Sequence, residues 1–181
     1  DAGTRRPGRS WRPGLSQVMR AHPRWFEIGA APLLLWQGRR VRRDTPVLPE
    51  AAGERQGQTG EGKGRPIRLL ILGDSSAAGV GVAHQTDAVT GHCVRSLARR
   101  AGRPVRWQLI ARTGLTAAEL LAMLMSEWGD RPPDADVAVI VVGVNDATGR
   151  RTPRQWRADL RALQSFVSAR MGPSLILWSG L

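Results

Sequence analysis

The chain has 181 residues, with 27 Lys and Arg against 15 Asp and Glu, a net charge of +12 at pH 7. That length suffices for one α/β domain and little more. A single cysteine, Cys93, excludes an internal disulfide and fits a reducing compartment. Residues 1–66 carry 13 basic and 6 acidic residues, and residues 67–181 carry 14 and 9. Such an excess suits nucleic acid, anionic lipid or an acidic substrate. The plainer reading is an arginine-rich composition, which makes nucleic acid the lesser expectation.

Residues 1–66 read as a basic leader. Stretches 1–14, rich in Arg, Gly and Pro, and 50–65, rich in Gly, Glu and Gln, have the composition of loop or linker. Between them an apolar run covers 28–36, bordered by Arg24, Arg39 and Arg40. A spanning helix needs about 20 apolar residues, so nine do not cross a membrane, and no small-x-small cleavage site follows. Two readings stand: a short helix packed on the main domain, which is favoured, or a peripheral membrane contact through 24–43. The cytoplasm or the inner-membrane surface is accordingly favoured over secretion.

From residue 67 onward strand and helix patterns alternate. An apolar run at 67–72 reads as a buried parallel strand. Residues 87–101 have helical periodicity, with Val89, Cys93, Leu97 and Ala101 about one turn apart. Strand 105–111 follows, then helix 116–128, opened by Thr116 and Glu119 at capping-box spacing. Residues 136–142 form a third strand. Residues 153–171 form a long helix with Pro153 in its first turn, and 174–179 form a fourth strand. This alternation predicts one parallel sheet in which the strand at 67 is flanked by those at 105 and 136, the strand at 174 lies beyond the latter, and helices cover both faces.

Ligands of such a sheet bind beyond the carboxyl ends of its strands. Three segments lie there: 73–81, 112–116 and 143–146. Ser75 places a hydroxyl and a backbone N–H on a tight turn. Gly114 offers an N–H with no side chain in the way, and Asn145 offers an amide NH2. Three donors converging on one point form an oxyanion hole, as acyl transfer requires. Each segment alone is an ordinary turn; their occurrence after three successive strands makes the case.

Gly73, Asp74 and Ser75, then Gly114, then Gly143, Asn145 and Asp146 resemble the first three sequence blocks of the SGNH (GDSL-type) serine hydrolases, over roughly residues 67–181. The resemblance implies a flavodoxin-like three-layer α/β fold with a parallel sheet, and serine-dependent hydrolysis of carboxylic esters. It implies Ser75 as nucleophile, with Gly114 and Asn145 completing the oxyanion hole. The implied partner is a small-molecule or lipid ester, with no cofactor and no metal; the oligomeric state is left open. The family's fourth block, Asp-x-x-His, supplies acid and base, and it does not occur here: the histidines are His22, His84 and His92. The chain is therefore expected to be incomplete at its C-terminus and weak or inactive by itself, with a leader at 1–66 and a hydrolase domain at 67–181. A non-catalytic fragment, or a basic membrane- or nucleic-acid-binding protein, is the alternative. Asp74 and Asp146 are expected to hold their turns by accepting backbone N–H bonds. The Gly-x-Ser-x-Gly elbow, the phosphate loop and the dinucleotide fingerprint are all absent.

Overall fold

The computed structural model describes residues 40, 48–129, 132–149, 151–172 and 175–179. Leu48–Leu181 forms a compact unit. The expected leader features at 1–47, including the apolar run and the contact through 24–43, lie outside the described residues except for Arg40.

The unit is a five-stranded sheet in the order β1-β3-β2-β4-β5. Its strands are β1 (Gln56–Thr59), β2 (Ile67–Gly73), β3 (Val105–Ala111), β4 (Val137–Val141) and β5 (Leu175–Trp178). β2 pairs in parallel with β3 and β4, and β4 pairs in parallel with β5. These are the four expected strands in the expected order. The helices are α1 (Ser75–Ala78), α2 (Val89–Ala101), α3 (Ala117–Trp128), α4 (Val144–Thr148) and α5 (Pro153–Met171).

β2 is central and buried on both faces, which is why it reads as an unbroken apolar run rather than an alternating one. Leu70 and Leu72 meet Leu120 and Leu124 of α3, Ile140 of β4, and Leu163 and Val167 of α5. Leu69 and Ile71 point the other way, onto Ala77 and Ala78 of α1 and Val94 and Ala98 of α2. Burying each such Leu or Ile contributes about 1.5–3 kcal/mol. The ends of the helices follow local chemistry. The Thr116 and Thr152 side chains close capping boxes with Glu119 and Gln155, Pro153 opens α5, and Gly172 ends it in the left-handed region.

Two expectations change. The stretch 50–65 is not a linker: Gln56 to Thr59 add β1 to the edge of β3, antiparallel, with Gly57 opposite Trp107. Its side chains are Gln, Gly, Gln and Thr, with no apolar alternation to announce a strand; backbone pairing at a free edge forms it, within the compact unit that starts at Leu48. The buried face of α2 is turned by one residue. Thr90, Val94 and Ala98 are buried and Val89 is exposed, while Cys93 and Leu97 pack at the margin. The helix starts at 89, so its phase is set by the turn at 84–88 and not by the most apolar spacing.

At the amino end of the sheet Asp136 binds β2. Its carboxylate accepts the Arg68 N–H at 2.9 Å and pairs with the Arg68 guanidinium at 2.7 Å. The side-chain hydrogen bonds from Arg68 outweigh desolvation and hold the Asp136 pKa at about 2.

Candidate active site

The sheet register brings the three expected segments to one level. Gly73 is the register partner of Ala111 on one side and of Val141 on the other. Ser75 lies two residues beyond this level, Gly114 three, and Asn145 four. All three leave from the carboxyl end of the sheet, where the sequence placed them.

The Ser75 turn is built on close approach. A Cβ at Gly73 would lie 2.2 Å from the Val141 carbonyl oxygen and 2.8 Å from the Ala77 Cβ, so only glycine lets β2 end this near to β4 and α1. The Asp74 N–H donates to Val141 O at 3.0 Å, and the Arg112 N–H donates to Gly73 O at 3.2 Å. Asp74 caps α1 by accepting the Ser76 N–H at 2.9 Å. Its carboxylate is buried, and Oδ2 has no hydrogen-bond partner among the described residues. Ser75 opens α1 and is part-exposed, with its hydroxyl hydrogen-bonded to no described residue.

Gly114 sits at φ 88°, a left-handed conformation that glycine adopts without penalty, and nothing lies within 4 Å of where its Cβ would be. The turn around it is held from β4. The Asn145 amide nitrogen donates to Leu115 O at 3.0 Å, and the Asp146 carboxylate accepts the Ala117 N–H at 3.0 Å. An amide NH2 carries two hydrogens; one fixes Asn145 against the Gly114 turn, and the other has no acceptor among the described residues. Burial raises the Asp146 carboxyl above its ordinary value, against the opposing pull of the Ala117 N–H. Both aspartates thus accept backbone N–H bonds at their turns, as the sequence implied.

The structure brings Gly114 and Asn145 together and sets Ser75 on the adjoining strand end. It does not bring a histidine to them through any hydrogen bond among the described residues. His84 bridges to Ala52 and lines a mostly apolar cleft with Gln85, Thr90, Val94 and Trp107, and that lining does not include Ser75. The contribution of Glu50 was not found in the sequence. Its Oε1 accepts the Thr113 N–H at 2.7 Å and the Thr113 hydroxyl at 2.8 Å, one residue before Gly114. In the sequence it is one of three glutamates in a stretch read as linker.

The sheet, parallel except for its edge strand β1, carries Ser75, Gly114 and Asn145 in the segments after three successive strands. The chain belongs to the GDSL-like lipase/acylhydrolase family, whose model matches residues 71–179. It is similar to GDSL-like esterase Rv1075c of Mycobacterium tuberculosis, at 29% identity over 131 residues, covering 67% of this chain and 41% of that protein. Among solved structures it resembles TesA, at 26% identity and a TM-score of 0.52, over 63% of this chain and 60% of that one. It shares its fold with AlinE4, an SGNH-hydrolase family esterase, at 24% identity and a TM-score of 0.55, over 66% and 61%. The chain thus spans less than two thirds of the length of each of these relatives.

Proposed function

We propose that the chain carries the nucleophile and oxyanion-hole part of a serine esterase. Ser75 Oγ attacks the carbonyl carbon of a carboxylic ester while a base takes its proton. The carbonyl oxygen gains the negative charge and is held by the N–H groups of Ser75 and Gly114 and by the free amide hydrogen of Asn145. Collapse of the tetrahedral intermediate expels the alcohol and leaves an acyl group on Ser75, which water then removes as the acid. The observation that supports this best is the Asn145 amide fixed on Leu115 O. It anchors the third segment to the second at the level where the first presents Ser75.

The substrate class is a small-molecule or lipid carboxylic ester, in keeping with the esterase names of the relatives. Residues 1–181 contain no Asp-x-x-His, and the proposal assigns no base within them. A serine hydroxyl without a base in reach is a weak nucleophile, so an oxyanion hole alone sets the expected rate. The test is turnover of 4-nitrophenyl acetate by residues 1–181 and by the Ser75→Ala and Asn145→Ala forms. The expected result is a faint activity, well below ordinary turnover of about 10 per second, lost with Ser75→Ala and reduced about 100-fold or more by Asn145→Ala. Activity unchanged by Ser75→Ala overturns the proposal, and so does an ordinary rate that disappears on His84→Ala.

A further inference from the structure

We propose that Glu50 is a positioning residue of the oxyanion hole, and that the dipeptide Glu50–Ala51 is the tie between the Gly114 turn and the helix that opens with Ser75. This rests on the reading of Ser75, Gly114 and Asn145 as the hydrolytic site.

The two residues reach in opposite directions. Glu50 Oε1 accepts both the N–H and the hydroxyl of Thr113, so the peptide next to Gly114 is fixed by two bonds to a single oxygen. The other carboxylate oxygen accepts from the Arg55 guanidinium at 2.5 Å, and the second arm of Arg55 donates to Ala111 O at 2.7 Å. The Arg55 carbonyl in turn accepts the Leu109 N–H at 2.7 Å. The end of β3 and the start of its loop are thereby laced to residues 50–55, which continue into β1. The Ala51 N–H donates to Ala78 O, the last residue of α1, at 3.2 Å. The Gln85 side-chain amide bonds both Ala51 O and Ala78 O. A Cβ on Gly79, where α1 ends, would lie 2.7 Å from the Ala51 Cβ, which shows how closely this segment is set against the nucleophile turn.

The chemistry suits a fixed clamp. Three donors meet one carboxylate, and charged acceptors make stronger hydrogen bonds than neutral ones. Burial would raise the Glu50 carboxyl, but the bonds from Thr113 and Arg55 outweigh it and keep the group below the usual carboxylate value, so it stays ionised at neutral pH. An exposed left-handed glycine turn has no packing of its own to define the direction of its N–H. Asn145 and Asp146 hold the far side of that turn at Leu115 and Ala117, and Glu50 holds the near side. An oxyanion hole requires its donors in place before the charge forms, so loosening one side lowers the rate of the chemical step without changing ground-state binding.

The test compares Glu50→Ala, Glu50→Gln and Met125→Ser in residues 1–181, well below their melting temperatures. The readouts are amide hydrogen exchange by NMR and steady-state hydrolysis of 4-nitrophenyl acetate. Glu50→Ala is expected to speed exchange at Thr113 and Gly114 at least 10-fold while the amides of β2 and β4 keep their protection. It should lower kcat about 10-fold with KM unchanged. Glu50→Gln keeps an oxygen for Thr113 but sets an NH2 against Arg55, and should recover part of both effects. Met125, exposed on α3, should be neutral in both. If Ser75→Ala leaves turnover unaltered, the proposed function fails and exchange alone decides the clamp. Unchanged exchange at Gly114 in Glu50→Ala overturns it, as does a kcat loss matched in full by Met125→Ser or accompanied by a general loss of protection in β2 and β4.

Discussion

Gly73→Ala puts the packing under the Ser75 turn to the test. Gly73 has no left-handed φ, so the penalty is steric and not conformational. The added methyl would stand 2.2 Å from Val141 O and 2.8 Å from the Ala77 Cβ. The first contact is with backbone, which cannot rotate away, so the ends of β2 and β4 must separate by about 1 Å to reach van der Waals distance. Forcing a methyl into a filled space costs about 1–3 kcal/mol. The separation also stretches the Asp74 N–H bond to Val141 O, now 3.0 Å, whose loss costs about 1 kcal/mol more. The expected destabilisation is therefore about 2–4 kcal/mol, read as a fall in the urea midpoint at constant m. Gly114→Ala is the control. Its methyl meets nothing, and its cost is the left-handed backbone alone, about 1–2 kcal/mol. A Gly73→Ala protein as stable as the parent, or less affected than Gly114→Ala, would refute the claim that close approach of β4 demands glycine at this position.

Leu124→Ala, in a fully buried position facing the sheet, should cost about 2–5 kcal/mol, checked by the same urea titration. The Arg68–Asp136 pair should show in acid. The folded Asp136 pKa of about 2 lies below its ordinary 3.8, so its stabilisation is full above pH 4 and is lost as pH falls through about 2. For side chains about a third exposed that amounts to about 1–2 kcal/mol after screening, and Asp136→Asn should flatten that part of the stability curve. The raised pKa of Asp146 has the opposite sign: ionisation in the fold costs stability as pH rises through the ordinary carboxylate value. Asp146→Asn keeps an oxygen for the Ala117 N–H, so it should melt higher than the parent at pH 7, with the gain shrinking at pH 3; a lower melting temperature at pH 7 would count against the burial argument. Met125→Ser, at an exposed position on α3, should leave stability within about 0.5 kcal/mol.

The features legible in the sequence were those in which a local pattern and the fold agree. β2 and β4 are apolar runs because both of their faces are covered. Thr116 and Thr152 announce helix starts through their own hydrogen bonds, and the three loop segments follow from the rule that sites lie beyond strand ends. β1 was illegible because an edge strand of Gln and Gly gains its place from backbone pairing with β3, which no side-chain period encodes. The face of α2 was misjudged by one residue because the turn at 84–88 sets the phase of the helix, burying Thr90, Val94 and Ala98 and leaving the more apolar Val89 exposed. Glu50 escaped notice for a related reason. Its partner Thr113 is 63 residues away, and one carboxylate in a polar stretch carries no spacing to read. The placement of Ser75, Gly114 and Asn145 at one end of the sheet was legible because each follows a strand whose end the sequence marks.

The most direct test of the central claim is covalent. Residues 1–181 and their Asn145→Ala form would be treated with an excess of a 4-nitrophenyl alkylphosphonate, and the labelled residue and labelling rate read by mass spectrometry of the digested protein. Phosphonylation of a serine develops the same negative oxygen as ester hydrolysis, so it depends on the same donors. The account predicts one adduct, on Ser75, forming about 100-fold more slowly in Asn145→Ala. An adduct on Ser76 or elsewhere with Ser75 untouched, or a Ser75 rate indifferent to Asn145, would contradict it.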